Sequence, residues 1–205
     1  MNLNKSVIAI VVLIITLIGL SYIFRSNSIA NYPSSGTDII AFGDSLIQGV
    51  GASESKDFVT LLSQKIGQPI INMGRAGDTT YDGIVRIGEL DKYKPKVVIL
   101  LLGGNDYLKK IPIADTEKNL GVLIREIQGR GAVVLLLGVR GGIINDRFDA
   151  MYKKLRDKYH TAYVPDVLRG LIADMRYMSD AVHPNNAGYA IIANKVYPVL
   201  VDLVR

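Results

Sequence analysis

The chain has 205 residues, of which 49% are hydrophobic and 21% are charged, and it contains no cysteine. This composition supplies a core for one compact domain and excludes a fold that depends on disulfides or on a cysteine-ligated metal. The net charge is +5, but beyond residue 36 there are 22 basic and 19 acidic side chains, an excess too small to indicate a nucleic-acid partner.

The first predicted element is an apolar segment from Val7 to Phe24. Its length is just sufficient to span a bilayer, whereas a secretory signal has a shorter apolar region of about 7 to 15 residues. Ser28-Ile29-Ala30 provides a site at which a signal peptidase could cut. The length favours an uncleaved membrane anchor, and a cleaved signal is the alternative.

We therefore divide the chain into three parts. Residues 1–25 form the anchor or signal segment, and residues 26–36, with Asn, Pro, Ser and Gly, form a flexible linker. Residues 37–205 form one domain, which we expect to be monomeric. This domain is exported in either case, to the cell surface or periplasm when anchored and to the medium when the segment is cleaved.

Within the domain, apolar runs alternate with helical patterns. Strands are predicted at Asp38 to Phe42, Pro69 to Asn72, Val97 to Leu102, Ala132 to Gly138 and Ala162 to Val164. The third and fourth runs are almost continuously apolar, which is typical of parallel strands covered on both faces. Helices are predicted at Asp57 to Ile66, Thr80 to Leu90, Thr116 to Gly129, Arg147 to Tyr159 and Asn185 to Leu203. The pattern predicts a doubly wound α/β sandwich.

A candidate nucleophile follows the first strand. Gly43-Asp44-Ser45-Leu46 comes directly after a buried run, so a tight turn is expected to lift the Ser45 hydroxyl above the sheet edge. A serine needs a positioned base, and of the two histidines, His160 falls in a connection and is assigned a structural role. His183 stands three residues after Asp180, a spacing at which one turn can bring both side chains to one point. The sequence thus predicts a Ser45, His183 and Asp180 triad.

Two further candidates follow the second and third strands. Gly77 lies in the segment after the second strand, and Asn105 lies in Gly103-Gly104-Asn105-Asp106, which follows the third. The carboxyl ends of parallel strands line one crevice, where a glycine N–H and an asparagine amide are neutral donors for a developing oxyanion. Together with the Ser45 N–H, they predict a three-donor oxyanion hole.

With these residues in this order, the chain resembles the SGNH (GDSL) hydrolase superfamily, and within it the lysophospholipase, thioesterase and arylesterase group. The matching blocks are Gly-Asp-Ser-Leu with Ser45, Gly-Asp-Thr-Thr with Gly77, Gly-Gly-Asn-Asp with Asn105, and Asp-x-x-His-Pro with Asp180 and His183. The resemblance covers about residue 37 to the C-terminus. It implies a flavodoxin-like α/β/α sandwich with a five-stranded parallel sheet, and an acyl-enzyme mechanism that requires no cofactor and no metal.

Other residues in these blocks have simpler interpretations. Asp44 and Asp106 are expected to cap helices or order their turns, and Arg75 is expected to be solvated. Gly49-Val50-Gly51 resembles part of a dinucleotide-binding loop, but Glu54 replaces the third glycine.

Several classes of substrate are compatible with these residues. Ile143 and Ile144 lie in a segment that borders the acyl pocket in similar enzymes, so they are candidate substrate-binding residues. Esterase, thioesterase or lysophospholipase activity is the leading prediction. An O-deacetylase or O-acetyltransferase acting on cell-envelope glycan is the second, and a non-catalytic domain that binds envelope lipid or glycan is the third.

Overall fold

A five-stranded parallel sheet forms the centre of the protein, for which a computed structural model describes residues 7, 10–16, 28–139 and 147–205. The strands lie in the order β2-β1-β3-β4-β5. Their bounds are β1 Asp38–Gly43, β2 Ile70–Gly74, β3 Pro95–Leu101, β4 Val133–Leu137 and β5 Ala162–Val164. The predicted five-stranded parallel sheet is confirmed.

The two central strands account for the apolar runs of the sequence. Residues 97–101 of β3 and all of β4 are at most 1% exposed, because helices cover both faces of the sheet. The strands are aligned so that Ala41 of β1 pairs with Ile99 of β3, and Ile99 pairs with Leu135 of β4. A strand buried on both faces has no polar face, so its sequence does not alternate.

The helices of the domain, numbered from Ser45, are α1 Ser45–Gln48, α2 Phe58–Ile66, α3 Thr80–Arg86, α4 Gly104–Leu108, α5 Ile113–Gly129, α6 Arg147–Tyr159 and α7 Asn186–Val204. Helices α2 and α7 pack together, whereas α5 packs against both α3 and α6. These two groups form the outer layers of the expected α/β/α sandwich.

The helix predicted from Thr80 to Leu90 is wrong in its second half. Helix α3 ends at Arg86, and a 3₁₀ helix continues over Ile87–Lys92. Ile87 and Leu90 are both buried, and side chains three residues apart align on a 3₁₀ helix. Helix α5 also begins three residues earlier than predicted because the Pro112 carbonyl accepts the first backbone hydrogen bonds, from Asp115 and Thr116.

The described part of the predicted linker lies along the amino ends of the strands. The Ala30 N–H donates to the His160 carbonyl at 2.8 Å, and the Asn31 amide donates to the Ala132 carbonyl at 3.0 Å. The Ser34 hydroxyl donates to the Gly131 carbonyl at 2.8 Å. These bonds attach residues 30–34 to the domain.

The predicted anchor is described only in part. Residues 10–16 are helical and exposed, and the other residues of the apolar segment, apart from Val7, lie outside the described residues. In the described part of the chain, α7 is the one helix whose length and composition would suffice to cross a membrane, and 44% of its apolar stretch is buried inside the domain. Burial of this kind is typical of a core helix.

Candidate active site

Ser45 lies directly after β1, at the start of α1. The strand ends at Gly43, where a Cβ atom would collide with the carbonyl oxygen of Leu101 on β3. The Asp44 side chain caps α1 by accepting a hydrogen bond from the Leu46 N–H at 3.0 Å. A short strand-to-helix turn of this kind presents Ser45 at the carboxyl end of the sheet, as the sequence predicts.

The structure brings the three predicted triad residues together. His183 Nε2 lies 3.0 Å from Ser45 Oγ, and His183 Nδ1 lies 2.7 Å from Asp180 Oδ2. The second Asp180 oxygen accepts hydrogen bonds from the N–H groups of Val182 and His183, both at 2.8 Å. The Val182 N–H is the main cause that lowers the pKa of Asp180 to about 2, followed by the His183 side chain. Asp180 is therefore ionised at neutral pH and can orient the imidazole.

The segment that carries His183 is held at both of its ends. The His183 carbonyl accepts hydrogen bonds from the Ser179 N–H at 2.8 Å and from the Ser179 hydroxyl at 3.0 Å. Asn185 caps α7 by accepting from the N–H groups of Ala187 and Gly188. The imidazole is consequently positioned by the start of a long helix.

Gly51 packs against this same segment. Its φ of +94° lies in the left-handed region, and a Cβ atom there would lie 2.5 Å from the Pro184 carbonyl oxygen. The neighbouring Val50 carbonyl accepts a hydrogen bond from the Tyr189 hydroxyl of α7 at 2.7 Å. Gly49-Val50-Gly51 therefore connects the nucleophile turn to the histidine segment, which explains Gly51 without a dinucleotide.

The two predicted oxyanion donors lie in the same cleft as Ser45. Gly77 has a φ of +86°, which an L residue rarely adopts, and its carbonyl accepts a hydrogen bond from Lys109 Nζ at 3.0 Å. The Asn105 amide nitrogen donates one of its two N–H groups to the Asp78 carbonyl at 2.9 Å. Its other N–H has no hydrogen-bond acceptor among the described residues.

Two buried acids order the turns around the site, as expected. Asp106 accepts hydrogen bonds from the Thr80 N–H at 2.9 Å and from the hydroxyls of Thr80 and Thr116. It thereby joins the Gly77 segment to the Asn105 segment. Asp44 is 3% exposed, and burial raises its pKa to about 7.

Arg75 and His160 lie apart from the candidate triad. Arg75 forms an exposed ion pair with Glu89 at 2.7 Å, so it is solvated, as expected. His160 lies between α6 and β5 with a φ of +51°, as expected for a connection. Among the described residues, no group of three or more histidine, cysteine, aspartate or glutamate side chains is arranged to hold a metal ion.

A cleft of about 710 Å³ opens beside Ser45. Much of its wall is apolar, formed by Val50, Tyr107, Leu108, Val139, Phe148, Leu168 and Ile172. The sequence did not identify most of these residues because several of them lie in short or irregular segments without periodicity. Ile143 and Ile144, the predicted substrate-binding pair, lie outside the described residues.

Comparison with known proteins finds relatives that match most of this chain. Residues 41–191 match the GDSL-like lipase/acylhydrolase family. The chain is 29% identical to esterase TesA of Pseudomonas aeruginosa over 178 residues, which cover 81% of this chain and 89% of the relative. It is also 29% identical to thioesterase 1/protease 1/lysophospholipase L1 of Escherichia coli K12, over 82% of this chain and 85% of the relative. A crystal structure of TesA superposes with a TM-score of 0.76 at 28% identity, covering 82% of this chain and 99% of that one.

Proposed function

The chain belongs to the GDSL-like lipase/acylhydrolase family and is a serine hydrolase that cleaves esters, and we propose that Ser45, His183 and Asp180 carry out this reaction. One observation carries the assignment of roles: the continuous hydrogen-bonded path from Ser45 Oγ through the imidazole to Asp180. A neutral serine hydroxyl becomes a competent nucleophile only when a base this close accepts its proton.

The reaction proceeds through two matched half-reactions. His183 Nε2 takes the proton from Ser45 as Oγ attacks the ester carbon, and then protonates the leaving alcohol as the acyl-enzyme forms. Water then attacks the acyl carbon while His183 takes its proton, and His183 passes that proton to Ser45 Oγ as the bond to the acyl group breaks and the carboxylic acid leaves. Asp180 holds Nδ1 protonated and stabilises the imidazolium, for which its low pKa suits it.

The oxyanion is held by three neutral donors in this proposal: the N–H groups of Ser45 and Gly77 and the free N–H of Asn105. All three residues border the cleft. The Asn105 amide is held in place by the Asp78 carbonyl, and such preorganised donors avoid a reorganisation cost during the reaction.

The substrate is proposed to be a carboxylic ester whose acyl group occupies the apolar part of the cleft. Tyr107, Phe148 and Leu168 would remove that group from water. A panel of p-nitrophenyl esters of increasing chain length, assayed beside acetylated glycan, tests this assignment. We expect kcat/KM to rise with chain length beyond acetate. Preference for the acetylated glycan would indicate a deacetylase, and hydrolysis of neither would favour a binding domain.

We further propose that residues 1–25 anchor the domain 37–205 to a membrane, with the domain exported. The length of the apolar segment and the exposed helical residues 10–16 support this proposal. The full chain should pellet with membranes, resist high salt and dissolve in detergent. A chain beginning at Ser28, which keeps the bonds of residues 30–34, should be soluble and active. A cellular protein whose sequence begins at Asn31 would instead show a cleaved signal.

A further inference from the structure

Arg86, at the end of α3, is a buried cation. Its side chain is 6% exposed, and its Nε donates to Asp78 Oδ2 at 2.6 Å. Its Nη2 donates to the Gly43 carbonyl at 2.8 Å, and the guanidinium carbon lies 3.9 Å from the centre of the Phe42 ring. Arg86 therefore contacts both the end of β1 and the segment that follows β2.

These two contacts lead to two groups with proposed roles in the reaction. Gly43 is two residues before Ser45. The hydrogen bond to the Gly43 carbonyl therefore attaches the guanidinium to the strand end that carries the nucleophile. Asp78 holds the Asn105 amide through its backbone carbonyl at 2.9 Å, so the second contact reaches an oxyanion donor. The guanidinium thus connects the strand end that precedes Ser45 with Asp78, whose carbonyl binds the Asn105 amide.

Burying the Arg86 guanidinium costs free energy that the ion pair with Asp78 is not expected to recover fully. A buried cation loses its hydration, and a buried ion pair often contributes little net stability. Arg86 Nη1 is also buried without a hydrogen-bond partner among the described residues. The free-energy cost of removing this N–H group from water is therefore not offset by a hydrogen bond. Buried charged groups that are not fully hydrogen-bonded are concentrated at functional sites.

We propose that Arg86 is a positioning residue for the oxyanion hole, acting through Asp78 on Asn105. This inference rests on the oxyanion role proposed for Asn105. A planar guanidinium can hold the Asp78 carboxylate and the Gly43 carbonyl at the same time in a fixed relation. A lysine has the same charge but places one flexible ammonium group, so it cannot fix both.

The test is a double-mutant cycle with Arg86→Lys and Asn105→Ala, measured with one p-nitrophenyl ester. Removing one oxyanion donor is expected to lower kcat by about 10² to 10³ in Asn105→Ala, with a smaller change in KM. We expect Arg86→Lys to lower kcat at least about tenfold with KM nearly unchanged. In the Asn105→Ala background, the same lysine substitution should change kcat less than about threefold, because its target is gone.

Arg130→Lys is the matched control. Arg130 also forms ion pairs with two acids, Asp91 and Glu126, but none of these three residues borders the cleft. Its variant should keep the parental kcat. Circular dichroism of each variant verifies the fold. If Arg86→Lys does not fold, Asp78→Asn replaces it, because this substitution weakens the ion pair with Arg86 and keeps the Asp78 carbonyl that binds Asn105.

The outcomes separate this inference from the proposed function. If the lysine substitution lowers kcat by the same factor in both backgrounds, or changes only KM, Arg86 does not act through Asn105. A parental kcat in Asn105→Ala would overturn the oxyanion role of Asn105 and this inference with it. A large loss in Asn105→Ala alone leaves the oxyanion role intact and rejects the role of Arg86.

Discussion

Gly51 lies against His183. A Cβ atom added at Gly51 would lie 3.3 Å from the His183 Cβ and would collide with Ser179 Oγ. The two residues are far apart in the sequence. Their contact places the histidine segment directly against the residues that follow α1. We therefore expect the position of the imidazole to depend on this glycine, which lies outside the triad.

Gly51→Ala should therefore lower kcat while the protein remains folded. The added methyl group pushes the histidine segment away, and a displacement of about 1 Å can cost about 10²-fold in rate. Steady-state kinetics of the purified variant measure this effect. Gly67→Ala is the control because Gly67 also has a positive φ, +67°, but has no heavy atom within 4 Å of the added Cβ. Equal kcat losses in both variants would show that backbone strain alone is responsible.

Asp180→Asn should lower kcat by several orders of magnitude, because an amide in this position favours the wrong imidazole tautomer. The measurement is kcat for a p-nitrophenyl ester at neutral pH. Asp174→Asn is a matched control, since Asp174 is an acid of the same segment that pairs with exposed Arg176. A loss below about tenfold in Asp180→Asn would assign the orienting role to another group.

Asp44→Asn should change how stability depends on pH. The folded-state pKa of Asp44 is raised to about 7 by burial, above the usual aspartate value of about 3.9 in the unfolded chain. Between these values the folded state binds one more proton, so the contribution of Asp44 to stability falls as pH rises through that window. Asparagine does not titrate, and its side-chain oxygen can still accept from the Leu46 N–H.

Urea unfolding of the parent and of Asp44→Asn at pH 4 and pH 8 measures this contribution. From pH 4 to pH 8, the free energy of unfolding of the variant should increase by on the order of a few kcal/mol relative to that of the parent. The pKa of Asp180 lies below this range, so Asp180 remains ionised in the folded state and contributes little to the difference. A stability difference that is the same at both pH values would contradict the raised pKa.

Much of the architecture could be predicted from the sequence because the central strands are buried on both faces. β3 and β4 contain continuous apolar runs, and the blocks with Ser45, Gly77 and Asn105 follow strand ends, where topology requires them to meet. Ser45 could be placed at the sheet edge for this reason, whereas His183 and Asp180 were predicted from the small number of histidines and from their three-residue spacing. The roles of Asp44 and Asp106 in ordering turns were also expected, since short acidic side chains commonly accept nearby backbone N–H groups.

What could not be predicted depends on contacts between distant segments. The Gly51 contact with His183 arises only when two loops meet, and the link from Arg86 to Asn105 runs through a backbone carbonyl that no residue pattern marks. The cleft residues Leu168 and Ile172 lie in irregular chain after β5. Their exposure to the cleft is set by packing, not by periodicity.

Covalent labelling of Ser45 tests the central claim most directly. An organophosphonate ester probe should form one adduct per chain in the parent, located at Ser45 by peptide mass spectrometry, and abolish ester hydrolysis. Ser45→Ala should fold like the parent, take up no probe and hydrolyse no ester, because the hydroxyl is the proposed nucleophile. Labelling of the alanine variant, or parental activity in it, would contradict the account.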